Sequence, residues 1–451
     1  MTDPAPTTSA SSAPTPELTR MALLKRAAPI MGANIATPVV GLVDLAVIGN
    51  TGSAQAIAAV ALGTLIFNAL YWSLGFLRMG TTALAAQADG SGEPGETAAV
   101  LWRGAGVGVL LGLILLALQT VLAPVILLAF SGGPEVEAGA RAYFDARIWG
   151  APAALAGFAL YGWLIGLGLT GRALVLQIVL NLANAGFSLW FVLGLDLGVA
   201  GVGAASALAQ WIQLAAGAVI VLGVLKARSN PGRAQLLDRG RLVRLFAVNR
   251  DIFLRTLALL AGFYWFNEAS LREGADVLAG NAILLQFISV SAFFLDAFAH
   301  VAEAETGRAA GAKDWPRLKR AFRLTSELAA ACALLLGLGF LLVGESFIAA
   351  MTDDPAARAA AEAAIIWCAL VPIVGWPSWQ LDGLMIGTTR GSLMRNAMVA
   401  ALLIYLALDF TLRPMLGVTG LWLAFLLYYA ARALTLAVGL PGLKRDMIKA
   451  G

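Results

Sequence analysis

The chain has 451 residues, of which 59% are hydrophobic and only 13% charged, with a net charge of +4 at neutral pH. A soluble domain carries about 25% charged residues, so the composition excludes a soluble globular fold and points to a polytopic membrane protein. The basic excess clusters between apolar stretches, where membrane topology explains it, and no nucleic-acid partner is expected.

Residues 1–21 are rich in Pro, Ser, Thr and Ala and lack a basic start followed by an apolar core. They read as a disordered cytoplasmic tail, not a secretory signal peptide. Twelve hydrophobic spans follow, at 27–50, 55–86, 98–130, 139–168, 173–195, 202–225, 251–273, 276–304, 320–343, 358–387, 393–412 and 418–440. A tilted membrane helix needs about 20 such residues. The expected fold is therefore an all-α polytopic membrane protein with 12 transmembrane helices in two six-helix lobes. The lobes are 22–225 and 251–440, the linker between them is 226–250, and 441–451 is a closing cytoplasmic tail.

The linker is basic: Lys226, Arg228, Arg233, Arg239, Arg241, Arg244 and Arg250 stand against one acid, Asp238. Arg308, Lys313, Arg317, Lys319, Arg320 and Arg323 follow the eighth span, whereas Glu135, Glu137, Asp353 and Asp354 mark the opposite loops. The positive-inside rule then places the linker and both termini in the cytoplasm. The halves repeat weakly. AQADGSG (86–92) aligns with GRAAGAK (307–313), GLTGR (168–172) with IGTTR (386–390), and Ala151-Pro152 with Val371-Pro372, all at offsets between 218 and 221. Transporters commonly work between two such halves. Cys332 and Cys368 lie in apolar spans and read as small core residues.

Asp44 is the only charge between Ala27 and Thr51. A carboxylate at the centre of a spanning helix costs roughly 2.5–3.5 kcal/mol on insertion scales, so it should face the protein interior and serve a function. Helical spacing puts Asn34, Thr37, Gly41 and Asp44 on one stripe. Similar stripes are Asn68, Tyr71, Gly75, Arg78 and Thr82 in the second span, Gln177, Asn181, Asn184 and Ser188 in the fifth, and Ser206, Gln210 and Gln213 in the sixth. Four polar stripes around one carboxylate predict a hydrated cavity. The plainer alternative is interhelical hydrogen bonding, worth about 0.6 kcal/mol each. Pro38, six residues before Asp44, permits a bend there; a static kink is the alternative.

The eighth span carries Gln286, Ser289, Phe293, Asp296, His300 and Glu303 on one face, and His300 is the only histidine. A buried hydrogen-bonded network is one reading of this stripe. A second-lobe proton relay through Asp296, His300, Glu303 and Asp382 is the other. With no second histidine and no nearby cysteine, no metal is expected, and no cofactor either. Glu268 and Asp409 are further acids, the latter spaced to pair with Arg413.

The runs PIMGANIATPVVGLVDLAVIGNTG (29–52), FLRMGTTALAAQADG (76–90) and NRDIFLRT (249–256) resemble multidrug and toxic compound extrusion (MATE) transporters. LDAFAHVAEAETGRAAGAKD (295–314) and LDGLMIGTTRGSLMRNAM (381–398) resemble its DinF-like branch. The resemblance covers residues 22–445. It implies two lobes in a V around a chamber, and export of organic, often cationic, compounds in exchange for protons or sodium. It also implies that an aspartate of the first helix takes the coupling proton or helps bind a cation; Asp44 matches that position. The family's fifth helix often reads N-x-x-N and then an acid four residues on. Asn181 and Asn184 match, but Ser188 stands where the acid would be. That weakens a sodium site and leaves Asp44 as the principal titrating group of its lobe. Asp296, Glu303 and Asp382 match acidic positions of DinF-like sequences without an assigned role.

The expectation is a proton-coupled multidrug efflux antiporter of the bacterial inner membrane, acting as a monomer on small organic molecules. Protonation of Asp44 would bend the first helix near Pro38. Asn34, Asn68, Gln177, Asn181, Asn184, Ser188 and Gln210 would line the cavity, with Met31, Phe67, Tyr71, Trp72 and Trp190 as walls suited to aromatic cations. Sodium-coupled antiport by the same fold is one alternative. A lipid-linked precursor flippase is another; it would want a cationic cavity, and Arg78 is the main basic candidate in the first lobe. No Gly-rich phosphate loop, histidine pair or nucleophile motif suggests an enzyme.

Overall fold

The computed structural model describes residues 18–50, 53–127, 133–226 and 231–450. The tail expected at 1–21 lies outside the described residues as far as position 17, as does Arg228 of the linker. The described residues are helical with no strand. In chain order the helices are α1 (Arg20–Gly49), α2 (Ala54–Ser73), α3 (Phe76–Gly90), α4 (Pro94–Ala117), α5 (Gln119–Leu127) and α6 (Pro134–Arg147). Then come α7 (Ala151–Gly166), α8 (Thr170–Leu189), α9 (Gly198–Leu225), α10 (Arg233–Leu236), α11 (Arg239–Glu273) and α12 (Ala275–Gly311). The last are α13 (Trp315–Met351), α14 (Pro355–Gly387), α15 (Gly391–Leu416), α16 (Val418–Ala437) and α17 (Leu440–Ala450).

Local sequence sets where these helices begin. Thr19, Ser53, Asp238, Asp314 and Asp354 each accept a backbone N–H of the first turn through the side chain. Proline in the first turn of α4, α6, α7, α13 and α14 forfeits only N–H groups that have no helical partner.

Among the described residues, eleven helical stretches are long and apolar enough to cross a membrane. The seventh expected span falls in α11, which is not among them: Arg255, Glu268 and Arg272 dilute its hydropathy. With α11 added, the long helical stretches among the described residues number twelve. Three expected spans are interrupted. The second breaks at Leu74–Gly75 between α2 and α3, and the third near Leu118 between α4 and α5. The fourth breaks at a single 3-10 turn, Ile148–Gly150, between α6 and α7.

The helices pack as two groups. In the first, α8 lies against α1 and α9, α7 against α3 and α4, and α6 against α2 and α9. In the second, α12 and α13 lie against α14, and α15 against α11 and α16. The groups meet where α1, α3 and α7 touch α12, and where α3 also touches α11 and α14. Aromatic pairs reinforce that seam: Phe76 with Phe253 at 5.7 Å and Trp72 with Phe263 at 6.3 Å between ring centroids.

The internal repeat is visible in close backbone contacts. A Cβ on Gly162 would lie 2.2 Å from the carbonyl oxygen of Arg78, and one on Gly383 would lie 2.4 Å from that of Ala299. At Gly166 the neighbour is the Thr82 carbonyl at 2.6 Å; at Gly387 it is the Glu303 carbonyl at 2.4 Å. Both members of each contact shift by 221 residues between the halves. In this register Gly168 corresponds to Thr389, so the GLTGR and IGTTR runs correspond about one helical turn away from their sequence alignment.

Candidate functional site

Asp44 is fully buried in α1, facing α8 and α9. The Ser188 hydroxyl of α8 donates to its Oδ1 at 3.0 Å, and the Ser206 hydroxyl of α9 donates to its Oδ2 at 3.2 Å. Asn184 donates through Nδ2 to Ser206 Oγ at 3.0 Å, while its own Oδ1 is buried without a partner. Burying an ionised carboxylate is tolerable only when it is hydrogen-bonded, and two hydroxyls supply that here. The helical stripes on α8 and α9 therefore converge on Asp44 because a lipid-facing position would leave all these groups unsatisfied.

The other predicted site residues are distributed along the same seam. Asn181 Nδ2 donates to the Ala36 carbonyl of α1 at 2.8 Å, and Gln177 Nε2 donates to Asn181 Oδ1 at 3.2 Å. Asn181 thus fastens α8 to α1 about two turns from Asp44, and Gln177 steadies it from within α8. Asn34 Nδ2 reaches across to the second group and donates to the Phe293 carbonyl at 2.9 Å. Pro38 has no N–H for the Asn34 carbonyl, so α1 lacks a rung at that level. Tyr71 donates to Gln210 Oε1 at 3.4 Å, joining α2 to α9. Met31 is half-buried against the core, and Asn68 is exposed.

Phe67 is not a cavity wall. It is fully buried between Tyr71, Tyr143 and Phe144, at 5.5, 6.2 and 5.3 Å between centroids. Helical spacing identifies its face but not which residue of that face the α6 rings cover. Trp72 and Trp190 are both about half exposed, and Trp190 begins a wide turn of helix, Trp190–Gly194.

The sequence reading missed Arg147. This α6 guanidinium is buried, lies 4.8 Å above the Phe67 ring and donates to the Tyr143 hydroxyl. It makes no direct ion pair with Asp44. Arg78 is thus not the only basic side chain inside the first group. The available signal was the last of three charges at the start of the fourth span, Arg141, Asp145 and Arg147, standing beside the apolar Ile148 and Trp149.

In the second group Asp382 is buried in α14 and accepts, through Oδ2 alone, from Arg255 of α11 and from Arg432 of α16, the latter at 3.0 Å. Arg432 also lies over Tyr429, Tyr428 and Trp379 at 5.2, 5.8 and 6.0 Å from the ring centroids. No direct hydrogen bond links Asp296, His300 and Glu303. His300 Nδ1, Glu303 Oε1 and, across the seam, Arg78 Nη1 are buried polar atoms without a partner. Asp409 pairs with Arg413 at 3.2 Å and accepts from Trp265 at 2.9 Å, and Glu268 pairs with Arg272 at 3.1 Å.

The chain and its fold have known counterparts. The MatE family model matches residues 29–190 and 262–411. DNA damage-inducible protein F of Escherichia coli is 36% identical over 92% of this chain and 91% of its own length. The multidrug resistance protein PmpM of Pseudomonas aeruginosa is 26% identical over 95% and 92%. Among solved structures, a MOP superfamily transporter from Pyrococcus furiosus superposes with a TM-score of 0.84 at 15% identity, covering 95% of this chain and 96% of that one. A MATE solved in bent and straight conformations gives TM-scores of 0.83 and 0.81 at 17% and 16% identity, with the same coverage. The chain belongs to the MATE family of multi-pass membrane transporters and is similar to its DinF-like members.

Proposed function

We propose that this transporter exports organic compounds in exchange for protons, with Asp44 as the coupling group. The observation that carries the proposal is the composition of the Asp44 site: one carboxylate, two hydroxyl donors and an amide with an empty acceptor. A sodium ion would want several oxygen ligands and balancing charge, and Ser188 takes the place of the second acid. A proton needs one carboxylate and somewhere for the resulting O–H to point. Asn184 Oδ1 supplies that acceptor next to Ser206.

The cycle follows from hydrogen-bond polarity. Ionised Asp44 accepts from Ser188 and Ser206 and holds α8 and α9 against α1. When protonated it becomes a donor, and the hydroxyls and the Asn184 amide must turn. The missing rung at Pro38 lets α1 bend in response and narrow the chamber. The solved relative with bent and straight conformations supports such flexibility in this fold. By the positive-inside reading, the end carrying the linker and both termini faces the cytoplasm of a bacterial inner membrane.

The test uses purified protein in proteoliposomes, with a fluorescent organic cation inside and pH and sodium gradients imposed separately. A pH gradient should drive efflux and a sodium gradient should not. Asp44→Asn should lose gradient-driven export while still binding the dye. Wild-type rates from Asp44→Asn under a pH gradient would refute the coupling role.

A further inference from the structure

We propose that Gln87 and Arg308 are paired gate residues, two arms related by the internal repeat that hold the lobes together at the basic end and set how readily the chamber opens there. The inference rests on the reading of this chain as a transporter whose two halves move against each other.

Gln87 ends α3 of the first lobe. Its Nε2 donates to the carbonyl of Gly387 at 2.7 Å and to Thr389 Oγ1 at 3.3 Å, both in the second lobe. Arg308 ends α12 of the second lobe. Its Nη2 donates to the carbonyl of Gly166 at 3.1 Å and its Nε to Asp89 Oδ2 at 3.0 Å, both in the first lobe. Donor and acceptor both exchange under the 221-residue repeat, Gln87 for Arg308 and Gly387 for Gly166. The acceptors close α14 and α7, where the last carbonyls of a helix have no partner of their own. After each, the chain turns through a left-handed residue at equivalent positions, Thr389 (φ 54°) and Gly168 (φ 72°). Each lobe therefore caps the other's fourth helix.

The backbones beneath the arms touch with the same symmetry. A Cβ on Gly90 would lie 1.9 Å from the Arg308 carbonyl oxygen, and one on Gly311 would lie 2.0 Å from that of Gln87. No side chain fits at either position while the lobes are together. These contacts exist only in the state closed at this end.

The arms differ in strength. Gln87 is neutral, and its Oε1 accepts from Arg244 of the linker end of α11 at 2.6 Å. Arg308 also pairs with the fully buried Glu305 at 2.6 Å, which in turn accepts from Arg26 of α1. Charge-assisted hydrogen bonds are roughly twice as strong as neutral ones, so the Arg308 arm should dominate.

The experiment measures the separation of the lobes directly. Spin labels at Arg172→Cys and Lys319→Cys, both exposed and outside the latch, report across the basic end after Cys332 and Cys368 are replaced by alanine. Distances are read in full-length protein in lipid nanodiscs with no ion gradient, so failure of proton coupling leaves the result untouched. Arg308→Ala should raise the population at longer separation several-fold, and Gln87→Ala less. Gly311→Ala should do so by wedging α3 from α12 with every polar group intact. A merely structural residue would lower the melting temperature and leave the distribution unchanged. If Arg308→Ala does not fold, Gln87→Ala, which removes two neutral bonds and the one accepted from Arg244, carries the test. Unchanged distributions in the folded variants overturn the proposal.

Discussion

Ser188 hydrogen-bonds Asp44 Oδ1 at 3.0 Å from the position where the family resemblance implies an acid. The substitution turns an acceptor into a donor. A second carboxylate here would repel Asp44 unless a proton or a cation sat between them. Ser188→Asp should therefore give the site affinity for a monovalent cation, read as sodium-stimulated efflux that the wild type lacks. Ser188→Ala should remove one hydrogen bond to a charged group, about 1.5–3 kcal/mol, without creating sodium dependence. Sodium stimulation in the wild type itself would defeat both expectations.

Asn184 tests the other protonation state. Its Oδ1 is a buried acceptor without a partner, beside the hydroxyl that donates to Asp44. Asn184→Leu keeps the two serine donors and removes the amide bond to Ser206 together with the acceptor for a protonated Asp44. Substrate binding should survive and gradient-driven turnover should fall about tenfold or more, as expected for roughly 1.4 kcal/mol lost from one state of the cycle. Equal loss of binding and turnover would indicate a packing role instead.

Pro38 separates bend from kink. Alanine there restores an N–H to the Asn34 carbonyl and removes an interior proline that costs roughly 3 kcal/mol in a helix. Pro38→Ala should melt no lower than wild type yet transport more slowly, because α1 resists bending. A variant that transports at the wild-type rate would show Pro38 to be a static kink.

Much of this site is legible before any coordinates. Asp44 stands out because no other charge shares its span, and the α8 stripe stands out because polar residues every three or four positions cannot face lipid. What the chain order hides is pairing at long range. Arg255 and Arg432 sit 127 and 50 residues from Asp382, among residues that give no hint of a shared partner. Arg147 falls near the break between α6 and α7, where its direction depends on the 3-10 turn. Phe67 and Tyr71 occupy one face of α2, and only the packing of Tyr143 and Phe144 decides which ring is enclosed. Seen in the sequence alone, Asp382 is a buried acid available for a relay.

The structure gives Asp382 a second reading, and the two predict opposite behaviour. As the shared partner of two buried guanidiniums, Asp382 holds α11, α14 and α16 together. Asp382→Asn would leave both cations uncompensated, and breaking a buried pair costs about 3–5 kcal/mol. Arg255→Met leaves the Asp382–Arg432 pair intact and should destabilise less. A proton relay would show the reverse pattern: Asp382→Asn would fold normally and lose only pH-driven transport. Thermal melting of the two variants beside efflux under a pH gradient decides the matter. A melting temperature that falls further in Asp382→Asn than in Arg255→Met assigns Asp382 to the scaffold and leaves coupling to Asp44.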